Sequence, residues 1–218
     1  NFPMWRSLLV FWKLILKLKY DRVFVHMNPK WVAAGAVYWW LKKTPVYLWY
    51  THYTMHLPLR ISHLLCKRLF AATRESMPQY EGDSKKVVTG HGIDTGFWQM
   101  DALPREARKP KNELLAVHRI CRSKRPHLAI EALKYLPENY TLTIYGRVLE
   151  SDYNEELKKL IKDLGFENRV KFMGSVPMPE LRKIYPNYQI MINMAMDTID
   201  KTMVEGMMAG VDIVVTPN

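Results

Sequence analysis

The 218-residue sequence predicts an α/β protein with two Rossmann-like domains, each built on a parallel sheet. Short apolar segments of strand length alternate with longer segments of helical periodicity, which is typical of consecutive βαβ units. This alternation occurs twice, before and after a polar, Pro-containing stretch at residues 99–112 that predicts a linker. We therefore expect one domain over residues 1–98 and a second over residues 113–218.

The first half contains four predicted strands and three predicted helices. Apolar residues recur at helical spacing between Trp5 and Leu16, so residues 4–19 predict an amphipathic helix. Pro29 suits the first position of the next helix, because an N–H at that position has no partner within the helix. This next helix is predicted over 31–43, and a third helix is predicted over 59–70. The predicted strands are 22–27, 46–50, 71–74 and 86–89.

The second half predicts a regular alternation of five strands and four helices. Gly146, Gly165 and Gly174 each follow an element, where glycine commonly ends a helix or begins a turn. The predicted strands are 113–117, 141–145, 170–173, 188–193 and 212–216, and the predicted helices are 126–136, 153–164, 178–185 and 202–209.

Composition and chain ends bound the class of protein. A hydrophobic content of 48% and a charged content of 24% are typical of globular domains and exclude extensive disorder. Cys66 and Cys121 cannot form a disulfide framework, and no CxxC or HExxH motif predicts a metal or redox site.

We treat the chain as a fragment, since it begins at Asn1 without an initiator Met and stops at Asn218 after a predicted buried strand. Both sheets are therefore expected to be truncated.

The positive charge is concentrated in the first half. Residues 1–105 hold 15 Lys and Arg against 6 acidic residues, whereas residues 106–218 hold 17 against 15, and all seven Trp lie in the first 105 residues. Cations with Trp suit an anionic membrane surface, to which each cation contributes about 1 kcal/mol. A solvated Lys-rich surface explains the charge equally well, and nucleic acid is the competing partner.

One candidate site is a cationic run in the second half. Parallel α/β sheets bind ligands beyond the carboxyl ends of their strands, at helix N-termini. Between strand 113–117 and the helix that Pro126 begins, the chain carries four cations in seven residues. Cations and unpaired N–H groups there favour phosphate or pyrophosphate, although a solvated basic loop is an equal alternative. The four cations are Arg119, Arg122, Lys124 and Arg125.

Two further segments end strands in the same half. Asp197 and Asp200 precede the helix 202–209, and Glu205 lies about one turn inside it. Carboxylates at a strand end can hold the hydroxyls of a ribose, although the helix dipole alone also favours an acidic residue there. Gly174 ends another strand and allows a flat ligand to approach closely.

Together these segments resemble the donor domain of the retaining glycosyltransferases of family 4, which have the GT-B fold. The resemblance extends from about residue 20 to residue 218 and rests on LLAVHRICRSKRPHLAIEAL, LKKLIKDLGFENRVKFMGSV and DTIDKTMVEGMMAGVDIVVTPN. It implies that Arg119 and Lys124 bind the donor pyrophosphate, and that Glu205, the second Glu of a Glu-x7-Glu motif, binds the ribose. Gly174 and Val176 would line the same donor site.

The sequence departs from the family pattern at three places. Asp197 stands where the family has the first Glu, which contacts the transferred sugar, and its side chain is one methylene shorter. Residues 198–201 replace a Gly-rich stretch, and Lys201 becomes a candidate phosphate contact. His118 replaces the Gly that usually precedes the Arg.

The first half resembles the acceptor domain of the same family through the run KVVTGHGIDTGFW. His52 follows strand 46–50, where family members often place a His that faces the transferred sugar. We therefore predict that His52 and Asp197 orient that sugar during catalysis. His26 also ends a strand, whereas a structural role is expected for His56, His63 and His127.

The resemblance implies sugar transfer from a UDP- or GDP-linked donor to a glycan or lipid-linked acceptor, with retention at the anomeric carbon. It also implies that no metal ion or other cofactor is required, since protein cations stabilise the leaving diphosphate. We expect a cytoplasmic enzyme, and the basic, Trp-rich half favours peripheral attachment to the inner face of the membrane.

Three alternatives rank below the transferase. The departures at residues 197–201 would suit a non-catalytic nucleotide-binding module on the same fold. A nucleic-acid binder would use the basic half and would lose affinity steeply with salt. An NAD-dependent oxidoreductase would need a G-x-G-x-x-G run after a strand, and the sequence contains none.

Overall fold

The computed structural model describes residues 4–99, 104–196 and 200–216. The chain divides into two compact units, Asn1–His91 and Gly92–Asn218. Each unit contains one sheet whose strands all pair in parallel, which confirms the predicted α/β class with two parallel sheets.

The first unit contains a four-stranded sheet in the order β1-β2-β3-β4. Each strand pairs with the next one in sequence, so the crossovers all step in one direction and, being right-handed, place their helices on one face. The elements are α1 Met4–Lys17, β1 Val23–His26, α2 Pro29–Leu41, β2 Val46–Trp49, α3 Leu57–Leu65, β3 Cys66–Ala71 and β4 Lys86–Val88.

The core of the first unit lies between this sheet and its helices. Val46 and Leu48 are buried beneath α2, and Leu69 is buried beside them. The indole N–H of Trp39 donates to the Tyr20 hydroxyl at 3.0 Å, and that hydroxyl donates to the Ile15 carbonyl at 2.9 Å. These two bonds connect the end of α1 to α2.

The prediction of a helix over 59–70 followed by a strand over 71–74 is wrong. The helix ends at Leu65, because Cys66 has an extended backbone (φ −69°, ψ 139°) and begins β3. The segment CKRLFA pairs with β2 on one side and with β4 on the other. These ladders, together with the burial of Cys66 and Leu69, outweigh the local helical periodicity of residues 59–70. The other predicted elements occur with ends shifted by no more than two residues, except that the helix predicted over 126–136 ends at Ala132 and a short 3₁₀ turn follows it.

The second unit contains a five-stranded parallel sheet and the helices that connect its strands. Its elements are α4 Thr95–Trp98, β5 Glu113–Val117, α5 Pro126–Ala132, β6 Thr141–Tyr145, α6 Ser151–Asp163, β7 Val170–Gly174, α7 Met178–Ile184, β8 Ile190–Asn193, α8 Lys201–Met208 and β9 Asp212–Val215.

Helices cover both faces of this second sheet. Leu114 and Ile144 belong to a core with α5 and α6, whereas Leu115 and Met191 belong to a core on the opposite face. Trp98 of α4 packs in that opposite core, with its ring 5.6 Å from that of Tyr185. The sheet is therefore a doubly wound one, buried on both sides.

The division between the units falls between His91 and Gly92, whereas the sequence predicts a linker over 99–112. Part of that stretch is held by the second unit. The Lys109 backbone N–H donates to the Asn187 carbonyl at 2.6 Å, and the Gln189 side chain donates to the Lys109 carbonyl at 3.0 Å.

Strand order in the second sheet is β7-β6-β5-β8-β9, and the direction of winding reverses between β5 and β8. The chain leaves β5 toward β6 on one side, and it leaves β8 toward β9 on the other. At such a reversal the two loops separate and open a crevice beyond the carboxyl ends of the strands, where ligands of this fold bind.

Gly146 brings the loops after β5 and β6 into contact. Its φ is +152°, and a Cβ atom there would lie 1.8 Å from the carbonyl oxygen of His118. Beyond it, the Ile120 N–H donates to the Arg147 carbonyl at 2.9 Å, and the Leu149 N–H donates to the Ile120 carbonyl at 3.0 Å. The loop after β6 therefore determines the path of residues 118–120.

Replacing Gly146 with alanine should destabilise the second unit strongly, because the new methyl group meets backbone that cannot rotate away. We expect Gly146→Ala to lower the free energy of unfolding by at least about 2 kcal/mol more than Gly165→Ala does. Gly165 also has a positive φ (+68°), but a Cβ there meets no atom within 4 Å. Urea denaturation of both variants measures the difference, and equal losses would contradict the close contact.

Candidate functional site

A buried ion pair connects the two loops at the point of reversal. The ammonium group of Lys124, in the loop after β5, contacts the Asp200 carboxylate, which immediately precedes α8. Both side chains are largely buried, with 10% and 17% exposed. The side-chain NH₂ group of Asn193, at the end of β8, donates to the other Asp200 oxygen at 3.0 Å. The side-chain Oδ1 of Asn193 accepts from the Ala195 N–H at 2.9 Å. Residues 124, 193 and 200 therefore form one polar cluster.

Arg119, by contrast, is available to a ligand. Its side chain is exposed, and it forms no hydrogen bond or ion pair with any residue in the described parts of the chain. It follows His118 directly at the carboxyl end of β5. Arg119 and Lys124 thus both lie at the reversal point. Of these two side chains, only that of Arg119 has no partner among the described residues.

The other two cations of the predicted anion-binding run have structural roles. Arg122 pairs with Glu156 at 2.6 Å and Asp152 at 3.3 Å on α6. Arg125 has a left-handed backbone (φ +47°) and donates to the Met194 carbonyl at 2.7 Å and the Thr216 hydroxyl at 3.0 Å. Arg125 therefore ties the ends of β8 and β9 to the start of α5.

His118 lies between these cations and the sheet. The residue is buried, its Nδ1 lies 3.1 Å from the Arg119 carbonyl oxygen, and its backbone N–H donates to the Tyr145 carbonyl at 3.0 Å. Burial lowers the pKa of the His118 imidazole, although the hydrogen bond to Arg119 and the charge of Asp200 partly offset this effect. The ring is therefore neutral at pH 7 and adds no further cation to the loop.

Glu205 is buried in α8, one turn from the Asp200 cluster. The Tyr185 hydroxyl donates to its Oε2 at 3.4 Å. Burial raises the pKa of the Glu205 carboxyl, while the Tyr185 hydrogen bond and the charge of Lys201 offset part of that rise. Lys201 is exposed at the start of α8, and its ammonium donates to the Gly92 carbonyl at 3.1 Å.

The first turn of α8 contains a second polar group suited to a ligand. The hydroxyl of Thr202 is buried and has no hydrogen-bond partner among the described residues. The N-terminal N–H groups of a helix are also unpaired within the helix. The sequence predicts that the N-terminus of this helix, at Thr202, directs its dipole at the diphosphate, but it does not indicate that the Thr202 hydroxyl itself is available.

Gly174 is the last residue of β7 and Val176 lies two residues beyond it, two strands away from β5 at the same edge of the sheet. Gly174 has φ +72° and is exposed, and its carbonyl accepts from the Gly146 N–H at 2.8 Å. A Cβ atom at Gly174 would meet nothing within 4 Å, so this position is open. Val176 is half-buried.

His52 belongs to the first unit, where it is exposed just beyond the carboxyl end of β2. Its ring stands edge-on to Tyr50 at 5.2 Å. The neighbouring His56 has a structural role, since its Nδ1 accepts the Leu59 N–H at 3.3 Å at the start of α3. His26 stacks on Trp49 at 4.7 Å with an angle of 6° between the rings.

Asp197, the other residue predicted to contact the transferred sugar, lies outside the described residues, as do Thr198 and Ile199. Sequence reasoning also missed Asn193 and Tyr185, which hold the carboxylates of Asp200 and Glu205. Asn193 lies seven residues before Asp200 and Tyr185 lies twenty residues before Glu205, and neither residue belongs to a motif that would mark it in the sequence.

The fold and the polar crevice together define an α/β protein of the GT-B type. Residues 101–218 match the sequence profile of the glycosyl transferases group 1 family. This match covers more than half of the chain, and the chain belongs to that family. Comparison with curated protein sequences returns no match.

Solved structures of glycosyltransferases share the fold. The HepE protein of Anabaena, in complex with UDP-glucose, has a TM-score of 0.79 at 19% identity over 99% of this chain and 65% of its own. A Rickettsia africae glycosyltransferase has a TM-score of 0.73 at 17% identity, over 99% and 63%. Sucrose-phosphate synthase of Thermosynechococcus elongatus has a TM-score of 0.74 at 14% identity, over 96% and 59%. The chain spans about three fifths of the length of these structures.

Burial of the Glu205 carboxylate is expected to lower the stability of the fold at neutral pH. Because its pKa is raised in the folded state, the ionised form costs free energy above that pKa, and the cost disappears as the pH falls toward the ordinary carboxyl pKa. Glu205→Gln should therefore raise Tm at pH 7.5 by about 2–4 °C, the effect of roughly 1 kcal/mol in a chain of this size. The gain should vanish near pH 4.

Thermal unfolding between pH 4 and pH 8 tests this dependence. Glu167→Gln is a matched control, because Glu167 is exposed. A Glu205→Gln variant that is less stable than the parent at pH 7.5 would show that the ionised carboxylate is stabilised by its surroundings instead.

Proposed function

We propose that the protein transfers a sugar from a nucleotide-diphosphate donor to an acceptor, as a retaining enzyme of glycosyltransferase family 4. The observation that carries this proposal is the pair of loops at the reversal between β5 and β8, where Arg119 is unpaired among the described residues and Lys124 is buried nearby. A diphosphate leaving group develops negative charge as the glycosidic bond breaks. Fixed cations placed there in advance lower the barrier of that step.

In this proposal Arg119 is the main contact of the diphosphate. The N-terminal N–H groups of α8 and the Thr202 hydroxyl add donors to the same anion, since an unpartnered buried hydroxyl gains a hydrogen bond when the ligand arrives. Lys124 contributes its charge only in part, because Asp200 neutralises it. Lys201 is exposed at the start of the same helix and is assigned a supporting phosphate contact.

Glu205 is assigned to the ribose of the donor. A carboxylate accepts two hydrogen bonds from vicinal hydroxyls, and its burial in α8 shields those bonds from water. The hydrogen bond from Tyr185 holds the carboxylate in one orientation. Gly174, which ends β7, and Val176, just beyond it, would line the remaining part of the donor site.

The solved relatives guide the choice of donor. HepE of Anabaena was crystallised with UDP and glucose and with UDP-glucose. We therefore propose a UDP-linked hexose as the first donor to test, with a GDP-linked one as the alternative. His52 and Asp197 are assigned to the transferred sugar, a glycan or lipid-linked molecule is the proposed acceptor, and no metal ion or other cofactor is required.

Calorimetric titration of the purified protein with UDP, GDP and inorganic pyrophosphate, without metal, separates these roles. Arg119→Ala should weaken all three ligands at least about tenfold, because one charge-assisted hydrogen bond contributes about 1.5–3 kcal/mol. Glu205→Gln should weaken the preferred nucleotide by about tenfold and leave pyrophosphate unchanged, since pyrophosphate has no ribose.

Arg22→Ala is the matched control, because Arg22 is an exposed arginine at the amino end of β1. Absence of binding to every nucleotide, with Arg119→Ala equal to the parent, would overturn the proposal. Binding of a nucleotide sugar without transfer to any acceptor would favour the non-catalytic nucleotide-binding module. A product whose anomeric configuration is opposite to that of the donor would contradict retention.

The Lys124–Asp200 pair sets the charge of this site. Asp200→Asn removes the carboxylate but keeps its size, so Lys124 gains a full charge to offer to the ligand. We expect UDP affinity to rise by about fivefold at low ionic strength, with a steeper dependence on salt. Calorimetry at two salt concentrations measures both effects.

Asp163→Asn is the control for that substitution, since Asp163 is exposed at the far end of α6. A loss of UDP affinity in Asp200→Asn alone would mean that the carboxylate positions Lys124 for the ligand and does not compete with it.

A further inference from the structure

The helical layer of the first unit has an unusual charge pattern. Residues 1–71 contain eleven Lys and Arg but a single acidic residue, Asp21, and that residue lies between α1 and β1. The helices α1, α2 and α3 therefore carry no acidic side chain. A solvated surface normally mixes both signs of charge, so the absence of acids over three consecutive helices indicates a selected partner.

The same three helices expose large apolar side chains. Trp40 and Val37 on α2 are 68% and 67% exposed, and Leu64 on α3 is 76% exposed. On α1, Trp5 and Leu9 are more than half exposed. Isolated exposed apolar residues are ordinary, but several on one helical layer are typical of an interaction surface.

The cations of α1 lie within this apolar surface. Arg6, Lys13 and Lys17 fall on one line along the exposed side of the helix, with apolar residues on both flanks. One flank opens into a groove of about 640 Å³ between α1 and α2, lined almost entirely by carbon, including Val10, Leu14 and Trp31. Cations and apolar side chains therefore lie side by side along the exposed side of α1.

We propose that the outer surface of α1, α2 and α3 binds the surface of a bilayer that contains anionic lipids. The long Lys and Arg side chains reach lipid phosphates, while the Trp and aliphatic side chains between them enter the boundary between headgroups and acyl chains. No helix in the described parts of the chain is long and apolar enough to cross a membrane. A lipid-linked acceptor, as in the proposed function, would lie in such a bilayer. The membrane-binding proposal itself does not depend on the donor site.

Other occupants fit these residues less well. A nucleic acid would use the cations, but exposed Val37, Leu41 and Leu64 offer nothing to a phosphate backbone. A second copy of the chain would bring two surfaces of the same sign together, because every charged side chain on these helices is a cation. An anionic bilayer satisfies both the charge and the apolar area.

Co-sedimentation of the purified protein with vesicles tests the proposal. We compare vesicles of phosphatidylcholine alone with vesicles that contain about 30% phosphatidylglycerol, which gives the surface potential that attracts basic segments. Lys13→Glu combined with Lys17→Glu should reduce partitioning onto anionic vesicles by about thirtyfold or more, since each cation near the surface contributes about fivefold. Trp40→Ser should reduce it severalfold at every salt concentration.

Each variant has a control in the second unit. Lys159→Glu with Lys162→Glu reverses two exposed lysines on α6, and Tyr135→Ser removes an aromatic side chain that is 88% exposed. Both controls should bind vesicles like the parent. UDP titration of every variant reports independently on the donor site, so loss of vesicle binding with unchanged nucleotide binding concerns this surface alone.

Three results would overturn the proposal. The first is equal partitioning onto neutral and anionic vesicles, and the second is equal loss in the test and control variants. The third is binding of duplex DNA without binding of anionic vesicles, which would assign the surface to nucleic acid.

Discussion

The adjacency of β5 and β8 is the constraint on which the proposed donor site depends. These strands are neighbours in the sheet although they are far apart in sequence, and the chain leaves them in opposite directions. The loops after them must therefore separate above the sheet, and the residues they carry face a common crevice. Lys124 meets Asp200, and Arg125 reaches the Met194 carbonyl, only because this pairing exists.

The four cations after β5 illustrate how tertiary contacts divide similar side chains between structure and function. Arg122 is held by the carboxylates of α6, and Arg125 bonds the ends of β8 and β9. Fewer cations are therefore available to an anion than the sequence of this loop indicates. The charge of the site depends on Arg119 and on the balance between Lys124 and Asp200.

Local pattern predicted most of the fold. β5 and β6 occur at the predicted residues, because each is a run of alternating or continuous apolar residues between clear turn residues. The segment at 59–71 shows where local pattern is insufficient. Its residues have helical spacing, but strands on both sides of β3 offer backbone hydrogen bonds that a helix cannot use. For the candidate site, the sequence indicated Arg119, Lys124 and Glu205, and it marked Gly146 as the residue after a strand, whereas Asn193 and Tyr185 carry no local signal.

The α/β class, the parallel sheets and the family resemblance can be predicted from the sequence alone, since they follow from periodicity and from motifs that lie within short stretches of chain. The basic, acid-free character of α1 to α3 is likewise visible in the sequence. Which side chains of those helices are exposed, and which cations of the donor loop are already paired, can be seen only in the folded chain. Burial and pairing depend on contacts between residues distant in sequence, and such contacts exist only after the strands have taken their order in the sheet.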